Sequence, residues 1–143
     1  MSEAMTLDDI VLSRIEGAAN STSALSEAIL AEQRLTGSIL RRVAQTLPRN
    51  VVAGTIEVNA TNLSKLYSRK HLSRVQSEDI SDLTALWAEM NEVFMNDAST
   101  LQDWIHSHQP ALSGRAPVEL METLSGRKAL REILNRIRYG DYS

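Results

Sequence analysis

The sequence predicts an all-α protein in which a helix-turn-helix subdomain packs on a C-terminal helical subdomain. Aromatic residues make up only 4% of the chain, so an aliphatic core is expected, which favours helices over a β-sandwich. Apolar residues recur at three- and four-residue spacing, as on one face of a helix. No segment shows the two-residue alternation of a half-buried strand. At 143 residues the chain can form one compact core, or two small subdomains that share one.

Residues 1–36 predict two N-terminal helices with a role in dimerisation or an accessory role. Thr6 and Asp9 can form a capping box, in which each side chain bonds the backbone N–H of the other residue, for a helix over residues 6–18. Polar residues 20–23 interrupt this helix, and a second amphipathic stretch follows. Its apolar positions are Leu25, Ala28, Ile29 and Leu35.

Residues 37–76 predict three short helices. Ser38 is the expected cap of the first of them, after Gly37 ends the preceding helix. Pro48 suits the first turn of the second, because its missing N–H would have no partner there. The predicted bounds are residues 39–46, 48–56 and 59–69.

The second and third of these helices fit a helix-turn-helix. Ala53 is small enough for close packing of the two helices, and Asn59 can cap the recognition helix. Leu63 and Leu66 are expected inward, which leaves polar side chains of that helix free to face a major groove. Asparagine can pair with adenine, and basic side chains suit phosphates. The predicted DNA-binding residues are Arg49, Thr61, Asn62, Lys65, Arg69 and Lys70.

The charge distribution favours DNA binding, with one exception. Residues 37–76 hold seven basic side chains and one acidic, whereas residues 77–111 hold seven acidic side chains and no basic one. A basic block in a chain of net charge −3 is either a solvated face or a nucleic-acid surface. Glu57 is the exception, because the turn residue is commonly a left-handed glycine and a carboxylate near DNA is unfavourable. A three-helix unit that does not bind DNA is therefore an alternative.

A long helix and a short helix are expected next. Ser73 and Gln76 can form a capping box for the long helix. Ser99 and Gln102 can form another for the short helix, which Pro110 closes. The carboxylates of the long helix follow helical spacing and are expected on a solvated face opposite its apolar stripe. They are Glu78, Asp79, Asp82, Glu89 and Glu92.

The last part of the chain predicts two helices and an aromatic tail. Pro117 is expected to open the first helix and Gly126 to end it. Its inner face is expected to carry Val118, Met121 and Leu124. An apolar stripe over residues 129–137 predicts the second helix, and the sequence Tyr-Gly-Asp-Tyr-Ser follows at residues 139–143. An aromatic tail at a fixed distance from a helix is suited to enter a cavity of a partner.

Several motifs follow one another from residue 39 onward. They are the helix-turn-helix, Lys70-His71-Leu72-Ser73, the Trp104-Ile105 pair, the segment from Pro110 to Pro117, and the end of the chain from Arg136 to Ser143. In this order they resemble the Xre/MbcA/ParS class of antitoxins, whose chains end in a similar R-I-x-x-G-x-Y/F-S motif. The resemblance implies an antitoxin of a type II toxin–antitoxin system. Its implied partner is a RES-domain toxin that consumes NAD or transfers ADP-ribose.

The resemblance also implies the mechanism and the residues that carry it. The C-terminal segment of these antitoxins covers the NAD cleft of the toxin, and their helix-turn-helix represses the shared operon. Operator DNA is therefore an expected partner, and a homodimer within a larger hetero-oligomer is the expected assembly. Carried over by position, the toxin-binding residues are Arg136, Arg138, Tyr139, Gly140, Asp141, Tyr142 and Ser143.

No residue pattern predicts an enzyme, a cofactor or a metal site. There is no Ser/His/Asp arrangement and no phosphate-binding glycine loop. His106 and His108 lack the cysteine or paired carboxylates that would complete a ligand set. The chain has no cysteine, and no apolar run approaches the roughly 20 residues of a membrane span or forms a signal peptide. A cytoplasmic protein without a membrane partner is therefore expected.

Two alternative functions stay open at the level of the sequence. The first is a stand-alone helix-turn-helix transcriptional regulator, whose tail serves only its own dimer. The second is a toxin-binding module that no longer binds DNA. In this module the basic block binds the toxin instead of DNA. An isolated gene without a neighbouring RES-like reading frame would favour the regulator, and absence of promoter binding would favour the module.

Overall fold

Helices build the fold in the residues that the computed structural model describes, 5–17 and 33–140. They are α1 (Leu7–Ile15), α2 (Gly37–Thr46), α3 (Arg49–Thr55), α4 (Ala60–Leu63), α5 (Arg74–Val93), α6 (Ala98–Ile105) and α7 (Leu124–Arg138). Short 3-10 helices span Ser64–Leu66, Pro110–Leu112 and Pro117–Leu120. Within these two ranges no strand forms, and one isolated β-bridge joins Gln109 to Arg115. The predicted all-α class is confirmed.

The 20-residue helix α5 lies at the centre of the molecule and contacts α1, α3, α6 and α7. It begins with the predicted capping box, in which the N–H of Gln76 donates to Ser73 Oγ at 3.1 Å and the N–H of Ser73 donates to Gln76 Oε1 at 3.0 Å. Its buried apolar side chains are Ile80, Leu83, Leu86, Trp87 and Met90. Several helices can pack against an apolar stripe of this length. The short helices of the fold therefore have enough apolar surface to bury their own side chains.

Helix α1 belongs to the same core. It begins with the predicted capping box and contacts α2 and α5. Ile10 and Val11 are buried in the common cluster. Arg14 donates to the carbonyl oxygen of Ser81 in α5 at 2.9 Å. The N-terminal helix is therefore a packing element of the whole fold, whatever further role it has.

The predicted second amphipathic stretch falls mostly outside the described residues, which resume at Gln33. Leu25, Ala28 and Ile29 are among the residues not described. Leu35 is fully buried, as an inward position should be, but it is not helical. Its N–H donates to Ser77 Oγ at 2.9 Å and its carbonyl oxygen accepts from the N–H of Leu72 at 2.8 Å.

Helix α2 begins at Gly37, two residues before its predicted start. Its cap is Thr36 and not Ser38, because Asp8 holds Thr36 in place by accepting from its N–H at 3.1 Å and its hydroxyl at 2.8 Å. Gly37 lies in the first turn, where a Cβ would collide with backbone carbonyls that follow α4. The glycine therefore permits close packing and does not end a helix.

Helices α3 and α4 and the turn between them are the segment predicted as a helix-turn-helix, and this name is kept for it. Its second helix is shorter than predicted. Asn59 caps α4 as expected, with Oδ1 accepting from the N–H of Asn62 at 2.8 Å. The α-helix ends at Leu63 and the 3-10 helix carries the chain only to residue 66. The carbonyl oxygen of Arg69 instead accepts from the N–H of Gly37 at 3.0 Å, which draws the chain away from the predicted helical path.

Helix α6 is capped two residues earlier than predicted. Asp97 is the cap, with Oδ1 accepting from the N–H of Thr100 at 3.2 Å, so the predicted box of Ser99 is wrong. Met95 and Asn96 before it both have left-handed backbones, with φ of 56° and 60°. These two residues turn the chain sharply at the end of α5, and this turn decides where α6 begins.

The glycine predicted to end a helix lies instead in the first turn of α7. Thr123 caps this helix, accepting from the N–H of Gly126 at 3.0 Å. A Cβ on Gly126 would collide with the carbonyl of Leu120, so glycine allows the 3-10 helix that Pro117 opens to pack closely on α7. Leu124, predicted to face inward, is 60% exposed.

The turn of the helix-turn-helix generates a prediction about stability. Glu57 has a φ of 57°, a left-handed backbone that costs a residue with a Cβ about 1 kcal/mol or more relative to glycine. We expect Glu57→Gly to raise the free energy of unfolding by up to about 1 kcal/mol in urea denaturation, because glycine relieves this strain. Glu57→Ala removes the carboxylate and keeps the Cβ. Equal stabilisation by both variants would assign the effect to charge and not to the backbone.

Candidate functional site

Helix α7 ends in a group of exposed side chains. Arg136, Arg138 and Tyr139 are all exposed, Tyr139 to 78%. The N–H of Tyr139 donates to the carbonyl oxygen of Asn135 at 3.0 Å, so the helical path continues to this residue. Gly140 follows with a φ of 71°, a left-handed conformation typical of the residue after a helix. The structure thus brings together the described part of the predicted toxin-binding residues. The others lie outside the described residues: Asp141, Tyr142 and Ser143.

Ion pairs hold α7 against α5. Arg127 is only 2% exposed, and its guanidinium donates to Asp82 Oδ2 at 2.6 Å and to the carbonyl oxygen of Met121 at 3.1 Å. Arg131 pairs with Asp82 Oδ1 at 3.1 Å and with Glu89 Oε2 at 2.9 Å. Asp82 and Glu89 were expected on a solvated face. That expectation is wrong for these two residues, because the arginines of α7 come to lie against this side of α5.

The electrostatics of Asp82 follow from this geometry. Burial disfavours its ionised form, but the hydrogen bonds from Arg127 and Arg131 outweigh burial and hold the pKa of the carboxyl below its usual value. Burial lowers the pKa of Arg131, but its hydrogen bonds to Glu89 and Asp82 outweigh burial and raise the pKa above its usual value. Asp82 and Arg131 therefore both stay ionised near neutral pH.

The order of the ion pairs defines the direction of α7. Asp82 pairs with Arg127, and Glu92 lies 3.8 Å from Arg138. Since the pairs advance along both helices together, α5 and α7 run parallel. The exposed end of α7 therefore lies beside the end of α5. At that end the rings of Phe94 and Trp104 pack with centroids 5.1 Å apart, which fixes α6 against α5.

Sequence reasoning missed Arg127. An arginine is rarely buried, and nothing local marks this one. The available signal was a pair of arginines four residues apart, Arg127 and Arg131, facing carboxylates seven residues apart, Asp82 and Glu89. Both spacings place the side chains on one face of a helix. Matching them requires knowing that the two helices are neighbours.

A second group of exposed side chains lies on the helix-turn-helix. Thr61, Asn62 and Lys65 are exposed on α4 and the 3-10 helix after it. Arg69 and Lys70 are exposed in the loop that follows. The structure therefore leaves five of the six predicted DNA-binding residues accessible within one short segment.

Arg49, the sixth predicted DNA-binding residue, already has partners in the chain. Its guanidinium donates to the hydroxyl of Tyr67 at 2.9 Å and to the carbonyl oxygen of Ala60 at 3.0 Å. These bonds join the start of α3 to the start of α4 and to the residue after the following 3-10 helix. Arg49 thus stabilises the geometry of the helix-turn-helix, and its contact with a phosphate stays a prediction.

The histidines and the surface show no other site within the described ranges. The Nδ1 atoms of His106 and His108 lie 2.9 Å and 2.8 Å from backbone carbonyl oxygens. No group of three or more histidine, aspartate or glutamate side chains suited to a metal ion occurs in the described part of the chain. None of the helices described there has the length and apolarity to cross a membrane.

The decisive comparison concerns the second half of the chain. A family model, the antitoxin Xre/MbcA/ParS C-terminal toxin-binding domain, matches residues 91–140. Over these residues the chain is similar to the toxin-binding domain of these antitoxins. The predicted resemblance to the Xre/MbcA/ParS-type antitoxins is confirmed, and with it a toxin as partner. No curated protein matches the chain.

The toxin-binding domain depends on residues that precede it. Its last helix, α7, is held by Asp82 and Glu89, which lie before the matched range of residues 91–140. The Asp82 pair is also the most buried charge contact described, since the side chain of Arg127 is 3% exposed. The orientation of α7 is therefore set by the central helix of the fold.

This arrangement predicts unequal effects of removing the two partners. Asp82→Ala leaves Arg127 buried without its carboxylate, and we expect a loss of about 3 kcal/mol in the free energy of unfolding. Arg127→Met removes the buried charge itself, while Asp82 keeps Arg131, so the loss should be smaller. Chemical denaturation of both variants measures the difference. A larger loss for Arg127→Met would contradict the ion pair as the source of the cost.

The same pair predicts a dependence of stability on pH. The pKa of Asp82 is lowered in the folded state, so its contribution is complete above its unfolded value of about 3.9 and is lost as the pH falls through the folded value. Unfolding of the wild type should therefore become easier in acid by more than unfolding of Asp82→Ala. Denaturation series at several pH values test this. Parallel curves for the two proteins would contradict it.

Proposed function

We propose that this protein is the antitoxin of a type II toxin–antitoxin pair, and that its toxin carries a RES domain and consumes NAD or transfers ADP-ribose. The observation that carries the proposal is the exposed end of α7, which lies inside the matched toxin-binding domain. The similarity of residues 136–143 to the characteristic end of the RES-partner antitoxins supports the identity of the toxin. The protein acts in the cytoplasm by occupying a site and not by catalysis.

We further propose that residues 136–143, the plug segment, enter the NAD cleft of the toxin. Tyr139 presents a rigid ring with a polar tip, a side chain that buries a large area at a small entropic cost. Arg136 and Arg138 supply donors in a planar fork that suits carboxylates. Asp141 offers a carboxylate to the cationic groups that a site for NAD phosphates requires. These side chains together can match a cleft built for a charged dinucleotide.

The packing of α7 supports this mechanism. Leu130 and Leu134 are buried, and the ion pairs of Arg127 and Arg131 fix the helix against α5. A segment that leaves a fixed helix loses less conformational entropy on binding than a free peptide does. The helix therefore presents residues 136–140, the described part of the plug segment, in a fixed position before the toxin binds.

Removal of the plug segment tests the mechanism. Deletion of residues 139–143 should abolish inhibition of the purified toxin, measured as NAD consumption, and rescue of cells that express the toxin. The fold should persist, because the buried residues of α7 end at Leu134. A variant with residues 139–143 replaced by glycine and serine controls for chain length and should also fail. Inhibition by the deleted protein would rule out the plug and leave only toxin binding elsewhere.

A second function, repression of the shared operon by operator DNA binding, is also proposed. The accessible residues Thr61, Asn62 and Lys65 follow the cap of α4, and the surrounding block is basic. Binding as a homodimer would place two such units on successive half-sites. Because α4 has only four residues and Glu57 sits in the turn, phosphate contacts should supply most of the affinity.

Salt dependence tests the DNA proposal. Lys65→Ala and Arg69→Ala should each weaken promoter binding and lower the slope of log affinity against log salt by about 1, because each removes one phosphate contact. Lys128→Ala is the matched control, since this lysine is exposed on α7 and far along the chain from the helix-turn-helix. Absence of a promoter complex even at low salt would favour the module that binds the toxin and not DNA.

A further inference from the structure

Leu124 is an apolar side chain that the fold does not use. It lies in the first turn of α7 and is 60% exposed. The local structure is complete without it, because Thr123 supplies the cap and Gly126 supplies the close contact with the preceding turn. A single exposed leucine is ordinary on a protein surface. The position of Leu124 on α7, on the same side as Tyr139, distinguishes it from other exposed leucines.

Leu124 shares one side of α7 with Tyr139. At 100° per residue, positions 124, 128, 132, 135 and 139 fall within a sector of about 80°. All five residues are exposed. We call this row the outer stripe: Leu124, Lys128, Glu132, Asn135 and Tyr139. It is about 22 Å long, with a large apolar or aromatic side chain at each end and polar side chains between.

The size of the plug segment indicates that the toxin needs more surface than this segment offers. A stable interface takes roughly 20–30 residues on each side, about 800 Å² per partner. The predicted toxin-binding residues are far fewer, and all lie after residue 135. The outer stripe is continuous with them at Tyr139, and it lies wholly inside the matched toxin-binding domain, residues 91–140.

We propose that the outer stripe docks on the surface of the toxin beside the NAD cleft, with Leu124 as a second anchor at the far end from Tyr139. The inference rests on the proposed function, because the toxin is its occupant. The matching surface has an apolar pocket for Leu124. It also carries charges of both signs, opposite Lys128 and Glu132. Specificity for one toxin then comes from the stripe, whereas inhibition comes from the plug segment.

Substitution of Leu124 by aspartate tests the docking. Leu124→Asp should lower the affinity for the purified RES-domain toxin at least tenfold in calorimetric titration, because it places a charge in an apolar pocket. Val75→Asp is the matched control, since Val75 is 66% exposed on α5 outside the matched domain, and it should bind as the wild type does. Leu124→Ser is a milder variant, expected to lose affinity as well. Thermal unfolding of all variants verifies that each is folded.

The outcomes separate this inference from the plug. Normal affinity of folded Leu124→Asp and Leu124→Ser overturns the docking, and the plug then stands or falls with the deletion of residues 139–143. Weak binding by Leu124→Asp together with inhibition by the deleted protein upholds the docking and rejects the plug. A second copy of this chain is the other partner that could occupy the outer stripe. Sedimentation of the antitoxin alone, for the wild type and Leu124→Asp, measures this self-association. Loss of self-association with unchanged affinity for the toxin would assign the stripe to a second copy of this chain and overturn the proposal.

Discussion

The ion pair between Arg127 and Asp82 is the constraint on which the orientation of α7 depends. Desolvating a guanidinium costs several kcal/mol, and only a close carboxylate with further hydrogen bonds offsets this cost. Arg127 has both, in Asp82 at 2.6 Å and the carbonyl of Met121 at 3.1 Å. Such a pair adds little net stability, but few other registers of the two helices would satisfy the buried charge. Its main effect is therefore on the geometry of α7.

The central helix extends this constraint to the rest of the molecule. Helix α5 contacts both α3 of the helix-turn-helix and α7. Helix α3 also approaches the segment before α7 directly, because a Cβ on Gly54 would collide with the carboxylate of Glu122. The proposed DNA-binding and toxin-binding units thus share a core and a contact. The two proposals together therefore imply a toxin on α7 at a defined position relative to bound DNA.

The sequence predicted those features whose partners lie within a few residues. The capping box of Ser73 and the cap of Asn59 are confirmed because both are complete within one turn. The cap of α6 was misplaced because Asp97 and Ser99 are both good caps, and the backbone of the preceding turn decides between them. Distant partners were missed altogether, as the burial of Arg127 shows. The exposure of Leu124 was missed for a similar reason. It depends on whether the residue belongs to the helix before it or to α7, which the local sequence does not decide.

Glycine is also an incomplete guide to backbone conformation. A glycine can lie inside a helix, and a left-handed residue can be one other than glycine. Gly126 was expected to end a helix, but the close approach of Leu120 requires it inside one, and a local pattern contains no information on that approach. At Glu57 the reverse holds. The backbone is left-handed although the residue is not glycine, because the N–H of Val58 donates to the carbonyl oxygen of Ala53 at 3.0 Å and closes the end of α3.

The turn at Glu57 also shows that the helix-turn-helix fold can form without favouring DNA binding, one of the two proposed functions. The end of a helix dictates the conformation there, so the helix-turn-helix persists with a carboxylate in place of glycine, at a cost in strain. Burial raises the pKa of Asp79, and Glu57 is among the carboxylates that raise it further, so the turn adds negative charge to an already acidic side of α5. Persistence of the helix-turn-helix is thus no measure of DNA affinity. The exposed end of α7 lies elsewhere in the fold, and its proposed contact with the toxin does not depend on this turn.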